Sequence, residues 1–341
     1  MKLARSLKLI SINAAVLALM LLVADVIVAY SRRDPESARK IDASYHHGLI
    51  PNAEFSHEWI RGDRITEKVN SFGFRQTKSD QNVRNLNQYR TVTIGDSFTE
   101  GVGLRYEDTF ASLLPKMFTP VANMGVISYA PSIYQEKLLH YKKRGLSPKF
   151  LVQIVDVSDI QDEYHYQREG FKSIAMPSFI NDTRLAKTHA FQLLVKGIWM
   201  INSRDPLKMF SKSKRSWFNQ YYSIRDPYTL PNTPSYYQEG KTRLLQGIQR
   251  SIELFPEASH YVIAYNWGPN EMTESGRRLY SEYIKELRSA VASYRNSIFC
   301  DMTDVVDDSN GYIAGDVHWN RLGNKQIAER FYNNCFNHID R

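Results

Sequence analysis

From Tyr89 onward the chain alternates short apolar segments with longer amphipathic ones, and this alternation constrains the fold more than any other feature. Strands that alternate with helices are typical of an open parallel sheet, which binds ligands at the carboxyl ends of its strands. We therefore predict an α/β fold for residues 89–341. The predicted strands are Arg90–Gly95, Val121–Met124, Phe150–Val155, Tyr261–Tyr265 and Ser297–Cys300, and the predicted helices are Ser132–Gly145, Tyr236–Leu254 and Ser275–Arg295, with further helical segments through Phe110–Leu114 and Ile327–Tyr332.

The alternation is lost between about residues 164 and 234, which predicts an insertion into this domain. The insertion contains an apolar helix candidate, Phe191–Ile201, and a basic run, Lys208–Arg215, among many aromatic residues. Aromatic side chains beside cations suit contact with sugars or anionic polymers, and they equally suit a small satellite core. The sequence leaves both interpretations open.

Three basic residues, Lys2, Arg5 and Lys8, precede a mostly apolar run from Leu9 to Tyr30. A run of this length is long enough to cross a bilayer. A removable signal peptide has a similar pattern, but no convincing small-x-small cleavage site is present. We therefore predict a short cytoplasmic segment at residues 1–8, a single transmembrane anchor at 9–30, and a main domain in the bacterial periplasm or at the cell surface.

Residues 31–88 are polar and rich in turn-forming residues, yet they include Trp59, Phe72 and Phe74. A pure linker has no need of these aromatic side chains, so we expect the segment to pack on the main domain. The adjacent pair His46-His47 invites a metal-site interpretation. Adjacent histidines point in different directions in most backbones and no carboxylate lies at ligand spacing, so we favour a surface or packing role.

The formal net charge of +8 makes nucleic acid a candidate partner. The chain has no zinc-finger spacing, no basic helix with heptads and no aromatic RNA-binding signature, so we predict no nucleic-acid partner. It also lacks a dinucleotide fingerprint and a phosphate-loop lysine, and we predict no cofactor and no metal. The two cysteines, Cys300 and Cys335, form a disulfide if the domain is outside the cytoplasm, and two buried thiols are the alternative.

The segment Gly95-Asp-Ser97 follows the first predicted strand and carries a hydroxyl at its turn. A serine in such a turn is a candidate nucleophile, because the turn lifts its hydroxyl from the sheet edge and exposes backbone N–H groups. Near the C-terminus, Asp316-Val-His318 supplies a candidate base and an acid that orients it. Each element alone also fits an ordinary capping or turn residue, and their co-occurrence favours a catalytic triad.

These two motifs resemble the blocks of the SGNH/GDSL hydrolase superfamily, over roughly residues 89–334. The resemblance implies a three-layer α/β/α sandwich with an open parallel, flavodoxin-like sheet, here preceded by one transmembrane helix. It also implies acyl hydrolysis or transfer by a Ser-His-Asp triad, with an oxyanion hole built from backbone N–H groups and one side-chain amide. Ser97 matches the nucleophile and first oxyanion donor, and His318 matches the base.

Two other blocks depart from the superfamily pattern. Ser128 stands where the second block has a glycine, so its backbone N–H is the expected donor unless the backbone requires a positive φ, with Gly125 as the alternative. Ser158 stands where the third block has the oxyanion asparagine, which leaves a hydroxyl as a weaker third donor. Asp156 and Asp159 flank it, and we expect either to bind a substrate hydroxyl or to orient a side chain.

The last block reads Asp-x-His-Trp, with the acid one residue closer to the histidine than in most of the superfamily. This spacing resembles the alginate-acetyltransferase type, and Trp319 is a candidate substrate contact. We therefore predict a serine esterase or acyltransferase acting on an O-acylated, O-acetylated carbohydrate or surface polysaccharide. The alternatives are a catalytically attenuated protein that binds polysaccharide during assembly, and a lipase or thioesterase. The oligomeric state is left open.

Overall fold

A computed structural model describes residues 13, 16, 19–27, 39–60, 63–169, 228, 233–266, 272–306, 310–314 and 316–337. The chain divides into two compact units: residues 1–37 with 171–212, and residues 38–170 with 213–341. The second unit contains the sheet and every candidate site residue. In the first unit, the described residues 13, 16 and 19–27 are helical.

A five-stranded parallel sheet confirms the predicted α/β class. Its strands are β5 Thr91–Ile94, β6 Val121–Asn123, β7 Phe150–Val155, β8 Ser259–Ala264 and β9 Ser297–Asp301, in the order β6-β5-β7-β8-β9. Strand β5 is therefore flanked by two strands that follow it in the chain. This reversal of strand order creates a crevice at the carboxyl ends of β5 and β7, where open α/β sheets bind ligands.

Seven described α-helices accompany the sheet: α1 Ser97–Glu100, α2 Phe110–Leu113, α3 Pro131–Lys142, α4 Asp159–Glu169, α5 Tyr237–Leu254, α6 Glu274–Ala292 and α7 Arg321–Arg330, the last continuing into a π-helix at Phe331–Phe336. Helices α3, α4 and α6 contact α5, and α7 contacts α2. The rings of Phe331 and Phe336 pack on Tyr261 of β8. The disulfide Cys300–Cys335 joins β9 to the π-helix, with 6.1 Å between the Cα atoms.

The segment ahead of the sheet forms two antiparallel hairpins, β1 Arg39–Asp42 with β2 His46–Leu49, and β3 Glu54–Ile60 with β4 Asp63–Lys68. Beyond them, the segment contacts the sheet domain directly. Arg75 is fully buried, its backbone N–H donates to Asn123 O at 3.1 Å, and its guanidinium donates to Leu104 O at 2.5 Å. Phe74 is also fully buried, against Tyr89 and Tyr141.

Two predicted segments fall largely outside the described residues. In the predicted anchor at 9–30, residues 9–12, 14, 15, 17, 18 and 28–30 are not described, and in the predicted insertion at 164–234, residues 170–227 and 229–232 are not described. Within the part of the chain that is described, no helix combines the length and the apolar character needed to span a membrane.

Candidate active site

Ser97 lies directly beyond the buried strand β5, at the first position of the one-turn helix α1. Gly95 allows this sharp turn, because a Cβ there would lie 2.8 Å from Ile154 O of the neighbouring strand and 2.0 Å from the Thr99 hydroxyl. Asp96 caps the helix by accepting a hydrogen bond from Phe98 N at 2.9 Å. The N–H of Ser97 is one of the helix's unpaired first donors, because no i−4 carbonyl reaches it.

The structure brings Ser97, His318 and Asp316 together in the predicted order. The Oγ atom of Ser97 lies 2.8 Å from His318 Nε2, and His318 Nδ1 lies 2.7 Å from Asp316 Oδ1. The serine and the histidine are almost fully buried. A hydroxyl, an imidazole and a carboxylate in this chain of contacts can move a proton from the serine to the imidazole while the carboxylate holds the ring.

A compact loop fixes the orientation of His318. Ile313 N donates to His318 O, and Asp316 N donates to Ile313 O, both at 2.9 Å. The backbone N–H of Val317 donates to Asp316 Oδ1 at 2.6 Å, so the carboxylate is tied to the same turn. Immediately beyond it, Asn320 caps helix α7 by accepting bonds from the first turn. The imidazole therefore lies between a tight turn and a helix terminus, both of which resist displacement.

Ser128 takes a positive φ of 60°. This conformation favours glycine and strains other residues, and it is the condition under which Gly125 was the expected donor. The serine nevertheless adopts it and keeps its backbone N–H. Among the described residues, no acceptor receives the N–H of Ser128 or of Ser97. By contrast, the N–H of Gly125, the alternative donor, already bonds Asn123 Oδ1 at 3.1 Å.

The hydroxyl of Ser158 is directed to a neighbouring carboxylate. Its Oγ donates to Asp156 Oδ1 at 2.7 Å, and Asp156 Oδ1 also accepts from the backbone N–H groups of Ser158 and Asp159. This placement leaves the hydroxyl proton engaged within the loop. The prediction of a third oxyanion donor at this residue therefore lacks geometric support.

Four buried aspartates surround this loop: Asp96, Asp156, Asp159 and Asp162. Burial raises the pKa of each above the ordinary range, and the charge of Asp156 raises it further at the other three. Oxygen atoms of Asp96 and Asp156 lie within 4.8 Å of each other, and the raised pKa of both groups favours protonation of one of the two carboxyl groups. Because three donors converge on Asp156, it is the better candidate for the ionised member of this pair.

Oxygen atoms of Asp96, Asp156 and Asp159 lie within 4.8 Å of one another, a spacing compatible with a cation. Two hydroxyl groups already donate hydrogen bonds to these carboxyl oxygens. Ser158 donates to Asp156, and the Tyr134 hydroxyl donates to Asp159 Oδ2 at 3.0 Å. The raised pKa of the carboxyl groups favours protonation of part of this cluster.

All three predicted substrate contacts, Asp156, Asp159 and Trp319, lie inside the protein. Trp319 is 1% exposed, and its ring packs against Phe98 and Tyr265 at centroid distances of 5.0 and 4.5 Å. Asp159 is fully buried. The buried ring of Trp319 packs beneath the histidine loop and is not placed to contact a substrate. For Asp159, burial favours the second of its two predicted roles, the orientation of a neighbouring side chain.

Three residues of this region were not predicted: Asp96 as the carboxyl partner of Asp156, and Glu100 and His47 beside the Ser128 loop. The position of Asp96 next to the nucleophile and of Asp156 at the end of an adjacent strand was a usable signal, because parallel strand ends meet at one sheet edge. Glu100 Oε2 accepts from Ile127 N at 2.6 Å, and His47 Nε2 lies 2.8 Å from Ile127 O. No pattern in the sequence links these distant positions.

Comparison with known proteins adds little to this geometry. No protein-family model matches the chain, and no curated protein matches it. Among solved structures, it is similar to a member of the lipolytic protein G-D-S-L family from Veillonella parvula DSM 2008, at 12% sequence identity and a TM-score of 0.39. The similarity covers 72% of this chain and 96% of the other. A likeness this low does not establish a shared function, which has to rest on the side chains of the site.

Proposed function

We propose that this protein is a serine ester hydrolase or acyltransferase. The observation that carries the proposal is the contact chain from Ser97 Oγ through the His318 imidazole to Asp316, with distances of 2.8 and 2.7 Å. Its location at the carboxyl end of a parallel strand supports the same chemistry, as do the backbone N–H groups of Ser97 and Ser128, which have no acceptor among the described residues.

In the proposed reaction, Ser97 Oγ bonds to the ester carbonyl carbon while its proton passes to His318 Nε2. The N–H groups of Ser97 and Ser128 stabilise the negative oxygen of the tetrahedral intermediate. His318 then gives the proton to the leaving alcohol oxygen as that carbon–oxygen bond breaks. A water molecule or an acceptor hydroxyl attacks the acyl-serine in the second half, losing its proton to His318 and releasing Ser97.

We further propose an O-acetylated carbohydrate or surface polysaccharide as the substrate, on the Asp-x-His-Trp spacing of the last block. An extracytoplasmic location, with the segment at 9–30 as a membrane anchor, completes the proposal. The disulfide Cys300–Cys335 supports that location, because disulfides persist in oxidising compartments.

Substitution of the nucleophile tests the reaction class. We expect Ser97→Ala to abolish release of p-nitrophenol from its acetyl ester and to abolish labelling by a fluorophosphonate probe. The matched control is Ser289→Ala, which removes an exposed hydroxyl on helix α6 and leaves both signals intact. Equal turnover by the Ser97→Ala and native proteins would exclude the proposed nucleophile. Mass spectrometry of an O-acetylated glycan incubated with the native protein separates hydrolysis, which releases acetate, from transfer to another hydroxyl.

A second candidate is an attenuated protein that binds acylated polysaccharide during its assembly. The engagement of the Ser158 hydroxyl by Asp156 favours it, because the candidate oxyanion donors among the described residues are then reduced to the two backbone N–H groups. The two candidates differ in the labelling experiment, since only an activated serine reacts readily with a fluorophosphonate. Glycan binding without labelling or turnover would favour the attenuated protein.

A further inference from the structure

The peptide group between Ile127 and Ser128 is contacted from outside the sheet domain. Its N–H is the proposed oxyanion donor, and its carbonyl oxygen lies 2.8 Å from His47 Nε2. His47 belongs to strand β2, in the hairpin that precedes the sheet. A side chain distant in sequence therefore bonds the opposite end of the peptide unit that is proposed to stabilise the intermediate.

Chemistry fixes the direction of each hydrogen bond in this contact. A carbonyl oxygen only accepts, so His47 Nε2 carries a proton. Burial lowers the pKa of His47 to about 3, so the ring is neutral near pH 7 and its Nδ1 has a lone pair. The Nδ1 of His46 lies 2.5 Å from that nitrogen and therefore donates to it. The two histidines form a directed chain that ends at the Ile127 carbonyl.

The neighbouring peptide group is held as well. Ile127 N donates to Glu100 Oε2 at 2.6 Å, and the other oxygen of that carboxylate pairs with Arg39 Nη2 at 2.6 Å. The Glu100 side chain is fully buried, and Glu100 is in the same short helix as Ser97. Tyr129, on the other side of Ser128, donates its hydroxyl to His47 O. The loop is thus bound on both sides of the proposed donor.

We infer that the His46–His47 pair is a positioning device for the oxyanion hole, in which His47 orients and polarises the peptide group whose N–H is that of Ser128. This inference rests on the proposed function. A hydrogen bond donated to an amide carbonyl draws electron density from the amide nitrogen and strengthens its N–H as a donor. It also fixes the plane of the peptide, so the donor needs little reorganisation during the reaction.

The backbone of His46 supports a role beyond filling space. Its φ is 75°, in the left-handed region that is strained for residues with a side chain. Such strain costs about 1 kcal/mol or more and persists only where the surroundings enforce it. The side chain of His46 is buried here, with its ring 4.8 Å from that of His47. An apolar residue would fill the same volume without supplying the directed proton.

The test compares His47→Gln with His47→Leu in the full-length protein. Glutamine places an amide nitrogen near the position of Nε2 and keeps the donor to Ile127 O, whereas leucine removes it. We expect His47→Leu to lower kcat for p-nitrophenyl acetate by about tenfold and to change KM by less than about twofold. The loss in kcat is smaller than the roughly 10²–10³-fold loss that follows removal of an oxyanion donor, because the Ser128 N–H itself remains. We expect His47→Gln to retain kcat within about threefold of the native value, since the donor is kept.

His260→Leu is the matched control, because His260 is also buried and its Nε2 donates to Phe255 O at 2.8 Å. An equal loss of kcat in His260→Leu, an equal loss in His47→Gln, or an unchanged kcat in His47→Leu would each overturn the inference. If His47→Leu fails to fold, His47→Asn replaces it, since its shorter amide does not reach Ile127 O. The Ser97→Ala variant tests the proposed function separately. Activity in that variant would exclude the proposed nucleophile, whereas a negative result for the His47 variants would exclude the inference about His47 and would not affect the triad.

Discussion

Ser158 donates both its hydroxyl and its backbone N–H to Oδ1 of Asp156, each at 2.7 Å. Ser158 stands where the superfamily has the oxyanion asparagine, and its hydrogen bonds stabilise the buried carboxylate of Asp156. Oxygen atoms of Asp156 and of Asp96, which precedes the proposed nucleophile, lie within 4.8 Å of each other. The third strand end therefore contributes a carboxyl network to the site, and the proposed oxyanion hole consists of two backbone groups.

Removal of the Ser158 hydroxyl tests this assignment. We expect Ser158→Ala to lower kcat/KM by less than about fivefold, because the lost bond stabilises Asp156 and not the intermediate; loss of an oxyanion donor costs about 10²–10³-fold. The free energy of unfolding should fall by about 1.5–3 kcal/mol, the range for a hydrogen bond to a charged group. Steady-state kinetics and urea titration measure the two effects. A hundredfold fall in kcat at constant KM would instead restore Ser158 as a donor.

Asp96→Asn should mimic the protonated form of Asp96. Asparagine keeps an oxygen to accept from Phe98 N and supplies an N–H for Asp156. The free energy of unfolding should stay within about 1 kcal/mol of the native value, whereas Asp96→Ala should lose about 2 kcal/mol through loss of the helix cap and of the carboxyl partner. Urea titration compares the two variants. Similar losses in both would show that a proton on Asp96 has no structural role.

The pKa of Asp96 also sets the sign of a pH effect. Because burial first, and the charge of Asp156 second, raise its pKa in the folded state, its contribution to stability is lost as the pH rises through that pKa. Asp96→Asn has no proton to lose at this position. We therefore expect the variant to become the more stable protein in alkaline buffer, as measured by thermal unfolding. If the difference in thermal stability between the native protein and the variant were the same at every pH, the raised pKa of Asp96 would be contradicted.

The positive φ of Ser128 predicts different effects on stability for two small substitutions. Ser128→Gly should raise the free energy of unfolding by up to about 1 kcal/mol, because glycine adopts this conformation without strain. Ser128→Ala keeps the strain and removes only the hydroxyl. Both variants should keep kcat within about twofold, since the proposed donor is the backbone N–H. A large loss of kcat in Ser128→Ala alone would assign the role to the hydroxyl.

Glu163 gives the pH dependence of stability a second component. Its carboxylate oxygens accept from Ser132 N and Oγ at 2.6 and 2.5 Å, and burial raises its pKa from 4.5 to about 7. The contribution of Glu163 to the free energy of unfolding is therefore fully present below about pH 4.5 and is lost as the pH rises to about 7. A rise in pKa of this size corresponds to roughly 3 kcal/mol.

We expect Glu163→Gln to reduce this decline, because the amide is neutral at every pH and keeps an acceptor for Ser132 N. Part of the decline remains, since burial also raises the pKa of Glu67 to about 7. Urea titrations across the interval from pH 4.5 to about 7 measure the slope. Glu282→Gln, at an exposed position of helix α6, is the control and should leave the slope unchanged. Parallel slopes for the Glu163→Gln and native proteins would refute the assignment.

The sequence predicts the sheet well, because each strand is a short segment rich in apolar and β-branched residues. All five predicted strands agree with the structure to within two residues at each end. The helical segment predicted through Phe110–Leu114 is confirmed at Phe110–Leu113. It is preceded by a one-turn helix, Ser97–Glu100, that ends at Gly101 with a φ of 77° and was not predicted. The contact of Ser97 with His318 also follows the prediction, since both residues stand in short motifs with recognisable spacing.

The missing parts are contacts between positions far apart in the chain. Neither the His46-His47 dipeptide nor the Ile127-Ser128 peptide has a pattern that points to the other, because a side-chain bond to a backbone carbonyl leaves no residue-type signature at the acceptor. Asp156 and Ser158 were identified as departures from a family pattern. Their interaction depends on side-chain directions, which spacing alone does not specify.

The hairpin Arg39–Leu49 has a consequence for any attempt to isolate the catalytic portion. Excision at Tyr89, where the strand and helix alternation begins, preserves Ser97, Asp316 and His318 but removes Arg39 and His47. The excised fragment would leave the Glu100 carboxylate without its guanidinium and the Ile127 carbonyl without its imidazole. A fragment that keeps both contacts therefore has to begin at or before Arg39, the first residue of this hairpin.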